Sequence, residues 1–146
     1  MRTDRGNARL RTHWRATLIR NGLMVALLAL VPIRLKNLTE LTLGTSFIRV
    51  GDRWWIVLGG PDTKARAPDE RPVPRYLNHA IAVYLTSARP VLLGQREVML
   101  GEQDETGSAR DVIEGALWIG ERGDPLGYSG VDRAITDTTR QALGAC

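Results

Sequence analysis

The sequence predicts an α+β fold, mainly helical, with a small antiparallel sheet of two or three strands. Two changes of period carry this reading. Apolar residues recur every three to four positions up to Leu30, give way to aromatic and β-branched strand runs between residues 46 and 58, and return to helical spacing from Leu77. Gly and Pro clusters punctuate both changes.

The first helix is predicted over Ala8 to Leu30, after a frayed Met1 to Asn7. Leu10, Trp14 and Leu18 recur at i, i+4 and i+8 and define one helix face. Leu23 to Leu30 is apolar all round and should be buried. Gly22 weakens the middle and offers a point where the stretch splits in two. Pro32 biases Val31 away from helix and ends the element. A short helix is expected over Leu35 to Leu41, closed by Gly44.

Strands follow at Ser46 to Val50 and Trp54 to Leu58, joined by the turn Gly51-Asp52. A third, Arg71 to Val73, lies beyond the breaker Gly59-Gly60-Pro61-Asp62. Leu77, Ile81, Tyr84, Leu85 and Ala88 then share a helical face, with Pro90 just past the expected end. Residues 94–110 read as a polar surface loop, and Ala116 to Ile119 as a short apolar piece. The last helix is expected from Ser129. There Ser129 and Asp132 resemble a capping box, Val131 and Ile135 face inward, and Gly144 marks the stop.

The 146 residues are one domain's worth, with 43% hydrophobic and 25% charged residues. That balance excludes wholesale disorder. The longest apolar run, Leu23 to Ile33, is too short for a membrane span, which needs about 20 residues. Cys146 is the single cysteine, so no internal disulfide framework exists, and a reducing, cytoplasmic setting is expected. One Cys with His13 and His79 makes a poor zinc set, so no metal is expected.

The net charge of +4 is unevenly spread. Residues 1–75 hold 14 Arg or Lys against 6 Asp or Glu, whereas residues 76–146 hold 6 against 10. The front half therefore carries the surface for a polyanion. Arg outnumbers Lys 18 to 2, which suits bidentate phosphate contacts, although a GC-rich genome produces the same bias.

Few local motifs carry chemistry. Gly59-Gly60-Pro61-Asp62-Thr63-Lys64 lacks the spacing of a phosphate-binding loop, and Gly127-Tyr128-Ser129-Gly130-Val131 fails as a nucleophile elbow. His79 reads as solvated, while His13 falls in the basic first helix within reach of phosphate. Arg34 follows a buried helix and a proline break, so a rigid base would hold its head outward; a snorkelling surface arginine is the competing reading. Lys64 sits in a Gly- and Pro-rich turn, where a solvated loop charge is the competing reading.

Taken in order, these pieces resemble the catalytic domain of the tyrosine recombinases, the phage integrase family. The apolar helix Arg20 to Leu30 leads to Val31-Pro32-Ile33-Arg34-Leu35. The small sheet with Trp55-Ile56-Val57 then leads to Asp62-Thr63-Lys64. Arg71-Pro72-Val73-Pro74 and Leu117-Trp118-Ile119…Gly123-Asp124-Pro125-Leu126 complete the likeness. The domain division it suggests is a basic segment, 1–14, and a partial integrase-like catalytic domain, 15–146.

The resemblance implies that Arg34 binds the scissile phosphate and that Lys64, in a hairpin, is the general acid for the leaving 5′ oxygen. It implies double-stranded DNA as partner, other recombinase chains alongside, and no cofactor or metal. Pro32 and Asn37 depart from the family's usual glycine and acidic residue. No H-x-x-R box occurs, and Tyr76, Tyr84 and Tyr128 lie in the wrong context for the family's nucleophile. The expectation is a C-terminally truncated recombinase fragment, inactive in strand exchange alone. The alternatives are a non-enzymatic DNA-binding or recombinase-partner module and an unrelated adaptor.

Overall fold

In the computed structural model, which describes residues 2–59, 69–100 and 115–144, the helices pack chiefly on one another and a three-stranded sheet interrupts them along the chain. The mixed α+β class is as the sequence predicts. Helix α1 (Arg2–Leu30) runs unbroken through Gly22 and across residues 14 and 15, and its first turns lie where fraying was expected. Gly22 is exposed and surrounded by open space, so the missing side chain removes no packing contact that the helix needs.

The inner face of α1 is not the Leu10 stripe. It is Ala16, Arg20, Leu23, Met24 and Leu27, all buried, while Leu10, Trp14 and Leu18 are exposed. Neighbours along the Leu10 row, and most of those along the buried one, are three or four residues apart, so periodicity alone could not choose between them. The more apolar second half of the helix decides the docking.

Val31 ends α1 by donating to Leu27 O at 2.7 Å. Helix α2 (Leu35–Thr39) follows, two residues shorter than expected, with Leu38 buried. Strands β1 (Phe47–Val50), β2 (Arg53–Leu58) and β3 (Asp69–Pro72) pair antiparallel in the order β1-β2-β3. Phe47 opposes Ile56, and Ile56 opposes Arg71, so these three form one cross-strand row. Phe47 and Ile56 in this row are fully buried. Phe47 stacks on Trp54, with ring centroids 4.7 Å apart.

The next helical stretch starts with a 3₁₀ turn, Arg75–Leu77, and continues as α3 (Asn78–Val83). A π turn, Tyr84–Ala88, follows and leads directly into α4 (Arg89–Leu100). Pro90 therefore does not end the helix, and part of the expected loop 94–110 is helical; residues 101–110 lie outside the described set. Pro90 has no N–H to give the carbonyl four residues back, and its ring crowds that carbonyl in a regular α-helix. The wider turn relieves this. Helix α5 (Tyr128–Ala142) closes the described fold. Its N-cap is Gly127, with no side-chain cap bond, so the Ser129 capping box does not form.

The piece Ala116 to Ile119 threads between these elements, and side chains grip its backbone. Arg89 Nη2 donates to Ala116 O at 2.6 Å, Tyr84 Oη to Leu117 O at 2.6 Å, and Arg20 Nη1 to Ile119 O at 2.9 Å. Trp118, itself buried, donates from Nε1 to Leu38 O at 2.8 Å, satisfying a carbonyl at the end of α2. Arg20 also donates twice to Asn21 Oδ1. Burial lowers the Arg20 pKa, against an opposing pull from Tyr84 and Glu121. No helix among the described residues is long and apolar enough to cross a membrane.

Candidate nucleic-acid interface

The joint between α1 and α2 presents Arg34. Val31 is buried, Ile33 is half-buried, and Arg34 is exposed in extended geometry (φ −66°, ψ 145°) as the N-cap of α2. Its carbonyl accepts the first α2 bond, from Leu38 N at 3.0 Å. Among the described residues, no hydrogen bond or ion pair engages its guanidinium. The backbone here is anchored on both sides while the side chain reaches solvent. Exposure of this kind fits both sequence readings of Arg34, the outward-held arginine and the surface arginine.

The sheet reaches the same joint through Arg71. Its Nη1 donates to Pro32 O, two residues before Arg34. Its other face pairs with Asp69, Nη2 to Oδ2 at 2.9 Å and Nε to Oδ2 at 3.1 Å. Arg71 therefore couples β3 to the turn that carries Arg34. The sequence reading placed Arg71 on a strand without a role. The sequence carries no local signal for it, since the pairing of Arg71 with Ile56 is set by strand register.

Lys64 lies outside the described residues. Lys36, Arg49 and Arg75 add exposed charge in the front half. Arg75 lies 3.8 Å from Asp52, and Arg53 sits 5.9 Å over the Trp55 ring.

The other candidates resolve differently. His13 is half-buried, with Nε2 2.9 Å from Glu121 O, so it holds a backbone carbonyl and is not held out for phosphate. His79 is exposed. Tyr84 is fully buried, whereas Tyr76 and Tyr128 are exposed. Among the described residues, no group of three His, Cys, Asp or Glu side chains could hold a metal ion.

Compared with known protein families, curated proteins and solved structures, the chain finds no match in any of the three.

Proposed function

We propose that the chain binds double-stranded DNA through the surface around Arg34, as part of a site-specific recombinase of the integrase type. The observation that carries this reading is the α1–α2 joint. It presents a guanidinium with no partner among the described residues on an anchored backbone, and β3 is tied to it through Arg71. A planar guanidinium so placed can make two hydrogen bonds to a phosphate. The charge split fits this reading, since Arg34, Arg71 and Lys64 all belong to the basic half of the sequence. In this reading Arg34 and Lys64 are the phosphate-directed residues, and Lys64 is the proton donor that the resemblance implies.

The 146 residues contain neither an H-x-x-R box nor a tyrosine in nucleophile context, so binding without strand exchange is expected of them alone. Duplex binding measured by fluorescence anisotropy across salt is the test. Neutralising about six phosphates lowers affinity by about three decades between 50 and 200 mM salt. Absence of binding at low salt overturns the proposal. A covalent complex with a nicked suicide duplex overturns the expectation of no cleavage.

A further inference from the structure

We propose that the Leu10–Trp14–Leu18 face of α1 is a docking surface for an amphipathic helix with an acidic flank. These side chains are 68%, 65% and 40% exposed, although they stand in one helical row. At about 100° per residue the three span roughly 80° of the helix surface. Single exposed apolar residues are ordinary, but an aligned row with tryptophan at its centre is the pattern of an anchor for a partner helix.

The row already forms one wall of an open groove of about 470 Å³, lined by Leu10, Arg11, His13, Trp14, Thr17 and Glu121. The groove is asymmetric. Arg11 and Arg15 flank the row on one side, both exposed. His13 and Thr17 flank it on the other, where His13 holds the Glu121 backbone. A partner helix lying on the row thus meets guanidinium groups along one edge, which an acidic edge facing Arg11 and Arg15 satisfies.

Charge complementarity also ranks the alternatives. An antiparallel second copy, two-fold about Trp14, sets Arg11 and Arg15 of both chains along one seam, so like charges oppose it; a parallel copy is the arrangement that sedimentation tests. Duplex DNA would satisfy the arginines but leave Leu10, Trp14 and Leu18 in water. A lipid surface would bury the row but draw the Glu121 carboxylate toward the headgroups.

The test uses the full chain and two labelled synthetic helical peptides of about 20 residues. One carries a leucine seam flanked by glutamate; its twin carries lysine in place of glutamate. Fluorescence polarisation should show the glutamate peptide binding about tenfold or more tightly than its twin. Trp14→Ala should weaken that binding about thirtyfold. Leu10→Ser serves as a second variant, and Arg11→Glu with Arg15→Glu should reverse the peptide preference. All four positions are exposed, and circular dichroism checks that the helix content is retained. Equal binding of the two peptides, or unchanged binding by Trp14→Ala and Leu10→Ser, overturns the proposal. So does sedimentation showing a dimer that Trp14→Ala dissolves, or duplex affinity that falls with Trp14→Ala.

Discussion

The Tyr84 hydroxyl bonds the Leu117–Ile119 segment in both directions, donating to Leu117 O at 2.6 Å and accepting from the Ile119 N–H at 3.3 Å. The ring beneath it packs at 5.4 Å from Trp118. Removing the hydroxyl alone strands a buried acceptor and a buried donor. Tyr84→Phe should therefore lower stability by about 2 kcal/mol, read from urea denaturation.

The same hydroxyl makes stability depend on alkaline pH. Burial pushes the Tyr84 pKa up to about 12, against opposing pulls from the Ile119 N–H, Arg89 and Arg20. The unfolded phenol loses its proton near pH 10, before the folded one does. Its contribution is fully present below about pH 10 and is lost as pH rises through about 12. Urea midpoints from about pH 9 to 11.5 should fall, and Tyr84→Phe should flatten that fall.

Two glycines should respond oppositely to alanine. Gly22 lies inside α1, where an added methyl would meet nothing within 4 Å, so Gly22→Ala should stabilise by about 0.5–1 kcal/mol. Gly130 lies inside α5, where a Cβ would come within 2.7 Å of Leu126 Cδ1 and 3.0 Å of its Cγ. Leu126 packs against the core and its N–H holds Trp118 O at 2.8 Å. Gly130→Ala should cost about 1–3 kcal/mol despite better helix propensity. Thermal melts of the two variants check both signs.

Arg34 and Arg71 should separate binding from scaffolding. Arg34→Ala should reduce the salt slope of duplex binding by about 1 and leave stability within about 0.5 kcal/mol. Arg71→Ala frees Pro32 O and the β3 end together, so it should weaken binding and lower the melting temperature as well. Parallel anisotropy titrations and melts distinguish the two.

The sequence was most informative where one period dominated. The aromatic and β-branched runs on either side of Gly51-Asp52 predicted β1 and β2, and the row through Leu77, Ile81 and Tyr84 predicted the buried face of the helical stretch that follows the sheet. It did not decide where two rows competed, as in α1, because the side facing the core is set by residues far along the chain. Ile119, whose carbonyl Arg20 holds, is 99 positions away. Arg34 was legible because Pro32 announces the joint. The bond from Arg71 to Pro32 was not, since it spans 39 positions and depends on strand register.

The π turn at Tyr84–Ala88 acts as a phase corrector. It absorbs one residue, so that Arg89 beyond it faces the same interior as Ile81 before it. Forcing this sequence into an uninterrupted α-helix would swing Arg89 by about 100° away from the core. A chain shortened by one at Ser87, which is exposed, keeps Arg89 in register. The helix thus tolerates a change of length at one turn, the turn that begins with the tyrosine gripping Leu117.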